Sequence, residues 1–292
     1  MARIHFLGVG KMGLPMASHL KNAGHDLTVS DPSGERLALA RSAGLAVAEP
    51  DALAQADFVL SSLPHDTALL AVGQQVAQSA RAGAVYVDTS TVSLAASAQV
   101  TDLCSARGVA YLRTTVSGNN KMAEAAALTV MASGPRDAYA RAEPLLACWG
   151  PQRFYLGDGE QARLMKLVVN LLIAQTSAML AEGLTLGRKG GLAWQDMWQV
   201  LCASAVGSPI LKAKAVQLSQ RDFTPTFTVE QMIKDLELIV GAARDVHAPL
   251  PQTAATLQLM HAAVSQGQAL DDYAAIIKAV EASAGLPTDF KP

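Results

Sequence analysis

Through the first 156 residues short apolar runs alternate with helix-length amphipathic segments, and after Gly159 the short runs stop. The runs at 4–7, 27–30, 58–62, 85–88, 109–112, 128–132 and 154–156 are bounded by Gly, Pro, Asp or Ser, the signature of buried parallel strands. Segments 12–23, 35–43 and 94–107 read as helices between them, and strands alternating with helices predict a doubly wound α/β sheet. Beyond about residue 162 only helical periodicity remains, at 162–188, 194–203, 209–219, 229–246, 250–265 and 272–283. The expected architecture is an α/β domain over residues 1–161 that passes, through a long helix, into an all-α domain over 162–292.

That long helix carries the first chemical signal. Lys166 and Asn170 stand four apart in an otherwise apolar stretch, so a helix places them on one face, with Ser177 on the same stripe. A lysine in a mostly buried helix needs a partner or a wet cleft, and burial lowers its pKa toward the range useful for proton transfer. The competing reading is a lysine that snorkels to the surface beside a satisfied core asparagine.

Composition narrows the class. The chain has 292 residues, half of them hydrophobic, enough for about two domains with a full core. Lys and Arg total 23 against 25 Asp and Glu, with no basic stripe, which excludes nucleic acid as the main partner. Cys104, Cys148 and Cys202 show no paired spacing, as expected of a reducing, cytoplasmic setting, and the six histidines show no zinc spacing, so no metal is expected. A strand begins almost at once, at Arg3, and no signal peptide is read. The run 167–187 is long enough to span a membrane. Its Asn170, Gln175, Thr176, Ser177 and Glu182 favour a buried helix of a protein with no membrane partner. Such a helix, roughly 40 Å long, exceeds what one small domain covers, so a homodimer or homotetramer is expected.

Gly8-Val9-Gly10-Lys11-Met12-Gly13 follows the first strand and opens a helix, the context a dinucleotide-binding GxGxxG requires. Gly8 permits the tight turn, Gly10 lets a pyrophosphate approach the backbone, and Gly13 lets helix and sheet pack closely. The second strand ends at Asp31-Pro32. An aspartate there suits the ribose hydroxyls of NAD and repels the 2′-phosphate of NADP, a repulsion that Arg36 partly offsets. NAD is the favoured cofactor and NADP the alternative. Asp31 also reads as a plain cap of the helix starting near Ser33. Three further polar loops follow strands: Leu63-Pro64, Asp88-Thr89-Ser90-Thr91 and Val116–Lys121. Turn chemistry alone explains any one of them, but all three fall at the strand ends where ligands of such sheets bind.

Taken in order, Gly8-x-Gly10-x-Met12-Gly13-x-Pro15-Met16-Ala17, Asp88-x-Ser90-Thr91, Val116-Ser117-Gly118 and Lys166-x-x-x-Asn170 resemble the β-hydroxyacid dehydrogenases over nearly the whole chain. Within that family the glyoxylate/succinic semialdehyde reductase branch is most similar, through Ser117–Glu124, Phe154–Gly157, Met165–Asn170, Glu182-Gly183-Leu184, Phe227 and Lys234-Asp235. The resemblance implies an N-terminal Rossmann domain and an all-α C-terminal domain. It implies hydride transfer between nicotinamide and a small acidic substrate, a β-hydroxyacid or aldehyde acid. Lys166 would be the general acid/base and Asn170 would fix the substrate. Ser117 and Gly118 would hold its carboxylate, with Asn119 and Lys121 on the same loop, and Thr91 would lie near nicotinamide and substrate. Phe227, Lys234 and Asp235 would close from the helical domain, Lys234 on the cofactor side.

Some residues depart from the family pattern. Asn119 replaces a glycine, Ala126 another, and Arg113-Thr114-Thr115 stands for the usual Asp-Ala-Pro; these changes are expected to line the substrate loop. Ala162 replaces a glycine before the lysine, which would narrow the approach to the nicotinamide. Two rival readings are an imine reductase, disfavoured by the retained Lys166, and a cofactor-binding regulatory protein without turnover, disfavoured by the intact Lys166, Asn170, Ser117 and Asp235.

Overall fold

The structure is a computed structural model that describes residues 1–49 and 51–291. The chain forms two compact units, Met1–Leu167 and Val168–Pro292. In the first unit the elements are β1 (Arg3–Leu7), α1 (Gly13–Asn22), β2 (Asp26–Ser30), α2 (Gly34–Ser42), β3 (Ala46–Val47), α3 (Ala52–Gln55), β4 (Phe58–Ser61) and α4 (Asp66–Ser79). They continue as β5 (Val85–Asp88), α5 (Leu94–Ser105), β6 (Ala110–Ser117), α6 (Asn120–Glu124), β7 (Thr129–Ser133), α7 (Arg136–Leu146) and β8 (Gln152–Tyr155). Helix α8 (Gln161–Lys189) starts in this unit and runs on into the second.

The eight strands form one sheet in the order β3-β2-β1-β4-β5-β6-β7-β8. The six from β3 to β6 are parallel, with Leu7 level with Ser30 and Ser61, and Asp88 level with Ser61 and Arg113. The expectation of all-parallel strands fails at β7, which runs antiparallel to β6, and β8 follows β7. The connection from β6 to β7 holds only the short α6, too little chain for a parallel crossover. Strand β3, two residues long, carries no pattern to read.

Alternation along the strands sorts the core into two layers. Phe6, Leu60, Val87 and Leu112 pack on one face with Met16, Leu20 and Trp149. Val59, Tyr86 and Tyr111 pack on the other with Leu69, Val76, Val100 and Cys104. Helix α1 is further pinned by Trp149, whose indole N–H donates to the Met16 carbonyl at 3.1 Å.

The second unit is helical: the remainder of α8, α9 (Trp194–Ala203), α10 (Pro209–Leu218), α11 (Val229–Asp245), α12 (Pro251–Ser265), a 3₁₀ turn at Tyr273–Ala275 and α13 (Ile276–Ser283). Two fully buried carboxylates organise it. Asp272 takes Lys214 Nζ at 2.5 Å and the Thr226 hydroxyl at 2.8 Å. Glu281 takes both Arg188, at 2.5 Å, and Arg221, bidentate at 2.8 Å. The far part of α8 leaves Met179 and Leu186 exposed. By length and composition alone α8 would cross a membrane, and only a third of its most apolar window is buried, so the expectation of a mostly buried helix is not met within the described chain. Its other surfaces carry the polar groups described below.

In the middle of β1, His5 is buried between the Thr28 and Ser30 hydroxyls, at 3.0 and 3.1 Å. Burial lowers its pKa from the ordinary 6.5 to about 4. The unfolded chain therefore binds a proton below pH 6.5 that the folded chain refuses until about pH 4. The stability His5 supports is complete above 6.5 and is lost as pH falls through that window, up to about 3 kcal/mol by linkage. In His5→Gln, unfolding free energy measured by urea titration is expected to fall less steeply with acidification between pH 6.5 and 4. Equal slopes would contradict the assignment.

Candidate functional site

Because β1, β2, β4, β5 and β6 are parallel, Gly8, Asp31, Ser62–Pro64, Thr89–Thr91 and Ser117–Asn119 all follow strand ends on one edge of the sheet. The strand order reverses about β1 and β4, the switch point where ligands of such sheets bind.

The glycine loop has the steric logic its sequence suggests. Gly8 has φ +91°, and a Cβ there would lie 2.4 Å from the Ser62 carbonyl oxygen. A Cβ on Gly13 would lie 1.9 Å from the Gly8 oxygen. Gly10 differs: a Cβ would meet only the Arg36 guanidinium at 3.7 Å, so the space over it is open. Helix α1 begins at this loop with no side-chain cap and no acidic residue in its first turn, whereas Ser33, His65 and Ser93 cap α2, α4 and α5. An uncapped N-terminus facing open space above a glycine fits a pyrophosphate. Met12 is partly buried and Lys11 is exposed beside it.

Asp31 does not cap α2; that position belongs to Ser33, whose hydroxyl accepts from the Arg36 N–H. Its carboxylate instead accepts the Val9 N–H at 2.9 Å on one oxygen and the Ser33 N–H at 2.9 Å on the other. Asp31 thus ties the end of β2 to the glycine loop, while Pro32 stays exposed. Arg36, itself exposed, reaches within 3.7 Å of the same carboxylate.

Beyond β4 and β5 lies a buried polar network that no pattern in the sequence announces. Asp88 and Arg163, from the first turn of α8, are 0% and 1% exposed and form an ion pair. The guanidinium also donates to the Ser90 carbonyl, to the Tyr111 hydroxyl at 2.8 Å and to the Ser97 hydroxyl at 3.3 Å. On its other oxygen Asp88 accepts the hydroxyls of Ser61 and Ser90, the latter at 2.6 Å. The Ser90 hydroxyl in turn accepts the Leu63 N–H at 2.8 Å. Burial alone would lower the Arg163 pKa, but Tyr111 and Asp88 outweigh it and hold the group above its ordinary value. Burial pushes the Tyr111 hydroxyl up. The loops bearing Leu63-Pro64 and Thr91 are therefore linked to each other and to the start of α8.

Three more ties fix that start. Arg113 Nε donates to Glu160 at 2.7 Å, the Thr115 hydroxyl to the Ala162 carbonyl at 2.9 Å, and the Ala162 N–H to the Ser133 hydroxyl at 3.0 Å. This corrects the expectation that Arg113-Thr114-Thr115 line a substrate loop. Strand β6 runs on to Ser117, and all three side chains are buried in it. Ala162 is likewise fully buried, its backbone bonded to Thr115 and Ser133.

Lys166 follows Arg163 by one turn and is half-buried. Ser117 closes β6, and Gly118, at φ +138°, turns the chain away. Asn119 caps α6, its side-chain oxygen accepting the Met122 N–H at 3.0 Å, and Lys121 is exposed. Ala126 holds φ +51°, where the family's glycine would sit without strain. In the second unit Asn170 Nδ2 donates to Asp235 at 2.5 Å, both residues being buried. Lys234 Nζ lies 2.8 Å from the other Asp235 oxygen. Phe227 packs edge-on against Tyr273, at 6.3 Å between ring centres. The helical unit therefore joins Asn170, Lys234 and Asp235.

A doubly wound sheet with an uncapped α1 and a glycine loop cleared for an anion defines a nicotinamide-dinucleotide-binding domain of Rossmann type. Residues 3–157 match the NAD-binding domain of 6-phosphogluconate dehydrogenase, and residues 160–280 match the NAD-binding domain of NADP-dependent 3-hydroxyisobutyrate dehydrogenase. The chain belongs to the β-hydroxyacid dehydrogenase family. It is 31% identical to glyoxylate/succinic semialdehyde reductase 2 of Arabidopsis thaliana over 96% of this chain and 80% of that one. It is also 31% identical to 2-(hydroxymethyl)glutarate dehydrogenase of Eubacterium barkeri over 97% and 96%. Among solved structures, 3-hydroxyisobutyrate dehydrogenase of Mycobacterium tuberculosis with L-serine superposes with a TM-score of 0.86 at 29% identity, covering 95% and 98%.

The two glycines should separate in experiment. Gly10→Ala is expected to keep the melting temperature and weaken NADH binding, followed by fluorescence, by about tenfold or more, since its methyl fills only ligand space. Gly13→Ala is expected to destabilise the protein by roughly 1–3 kcal/mol, because its methyl collides with backbone. Unchanged NADH affinity in Gly10→Ala would remove the phosphate site from this loop.

Proposed function

We propose that this protein interconverts a small β-hydroxyacid, or aldehyde acid, with its oxidised or reduced partner, using a nicotinamide cofactor and Lys166 as general acid/base. The observation that carries the reading is the anchoring of α8. Three hydrogen-bonded ties hold its first turn to β5, β6 and β7, a fourth holds Glu160 just before it to β6, and Lys166 follows one turn later. A half-buried lysine on so fixed a helix suits proton transfer to a defined atom.

Each residue has a part in this proposal. Gly8, Gly10, Met12 and Gly13 hold the cofactor pyrophosphate with Lys11 beside it, Asp31 and Pro32 border the ribose, and Leu63, Pro64, Thr91 and Lys234 complete the cofactor site. A bound nicotinamide supplies or accepts hydride. Ser117 and the Gly118 N–H take the substrate carboxylate, with Asn119, Lys121 and Phe227 shaping the pocket. Asn170, oriented by Asp235, fixes the substrate oxygen. In reduction the Lys166 ammonium gives its proton to the carbonyl oxygen as the alcohol forms; in oxidation the neutral amine takes the hydroxyl proton.

The relatives' names point to small carboxylate-bearing substrates, among them glyoxylate, succinic semialdehyde and 2-(hydroxymethyl)glutarate. For the cofactor, the Asp31 carboxylate disfavours a 2′-phosphate and the exposed Arg36 beside Gly10 softens that effect, which supports NAD with NADP tolerated.

A spectrophotometric screen of glyoxylate, succinic semialdehyde, tartronate semialdehyde, 3-hydroxyisobutyrate and 2-(hydroxymethyl)glutarate with both cofactors tests the reading. Turnover is expected with at least one acid, faster with NAD(H). In Lys166→Ala, kcat is expected to fall by about 10²-fold or more while NADH still binds. Near-normal turnover in that variant would remove the mechanism, and a preference for NADPH of about tenfold or more would remove the assignment to Asp31.

A further inference from the structure

Arg163 uses one guanidinium for four acceptors on three elements and a loop: Asp88 at the end of β5, the Ser90 carbonyl in the loop after it, Tyr111 on β6 and Ser97 on α5. At 1% exposure no water can replace any of these bonds. The other ties of the α8 start reach Arg113, Thr115 and Ser133, all on β6 or β7. Arg163 thus joins α8 to the loop carrying Thr91, and through Ser90 to Leu63. It also stands three residues before Lys166, so a shift of its turn moves the lysine as part of the same rigid helix.

We infer that Arg163 is a positioning residue: with Asp88 as its counter-ion it sets the placement of Lys166 relative to the Thr91 loop. The inference rests on the reading of Lys166 as the acid/base. An arginine is required because a lysine presents a point charge, able to meet Asp88 but not the Ser90 carbonyl, Tyr111 and Ser97 together. Displacements of about 1 Å in such a placement lower rates by up to about 10²-fold.

The test uses Arg163→Lys and the paired variant Asp88→Asn/Arg163→Met, in which no buried charge is orphaned. Trace acetylation of the cofactor-free protein, with peptides quantified by mass spectrometry, reads Lys166 directly against Lys189 and Lys212. In the paired variant the relative reactivity of Lys166 is expected to change by roughly threefold or more, while the reference lysines hold. For the acid that wild type turns over, kcat is expected to fall by about tenfold or more with NADH affinity kept, and Arg163→Lys should fall between. If the paired variant does not fold, Arg163→Lys supplies both readouts. Wild-type Lys166 reactivity in a folded variant, or kcat within about twofold of wild type, overturns the inference. Should wild type turn over none of the acids, the acid/base reading falls instead, and the acetylation ratio still decides whether Arg163 governs Lys166.

Discussion

The functional edge of the first unit depends on one buried ion pair. Asp88 and Arg163 are excluded from solvent together, and each is costly to bury alone. They are tolerated because every direction of the pair is met: Ser61 and Ser90 on the carboxylate, and Tyr111, Ser97 and the Ser90 carbonyl on the guanidinium. A pair satisfied in this way adds less to stability than its Coulomb attraction suggests, but it permits only one arrangement of the groups around it. Here those groups are the loops after β4 and β5 and the first turn of the long helix, the parts that the proposed chemistry at Lys166 requires to hold still.

The glycine loop imposes a second, purely steric constraint. Gly8 and Gly13 are fixed by backbone that leaves no room for a Cβ, whereas a Cβ on Gly10 would meet only the Arg36 guanidinium at 3.7 Å. Asp31 binds this loop to β2 through the Val9 N–H, so one carboxylate holds the cradle in shape.

The layered fold was legible in the sequence because buried parallel strands must be short apolar runs, and the helices of the second unit because their apolar stripes repeat. Strand direction was not legible: the run at 128–132 looks the same whichever way it pairs, and only the short connection from β6 reverses it. The glycine loop and the Lys166–Asn170 spacing on α8 were visible because backbone sterics and helical geometry act over a few residues. Arg163 and Asp88, 75 residues apart, and Arg113 and Glu160, 47 apart, were not, since sequence separation says nothing about pairing. The one available signal was an arginine inside an apolar helix one turn before the lysine. Thr114 and Thr115 were misplaced into a loop although β-branched residues favour strand, because β6 was expected to end at Leu112.

A double-mutant cycle on Asp88 and Arg163, followed by urea unfolding of the cofactor-free protein, tests the central constraint most directly. Either single neutralisation, Asp88→Asn or Arg163→Met, is expected to destabilise by about 3–5 kcal/mol, and the double substitution by no more than either single one. Effects that add to within about 0.5 kcal/mol would show that the two residues act independently and that the site does not hang on their pairing.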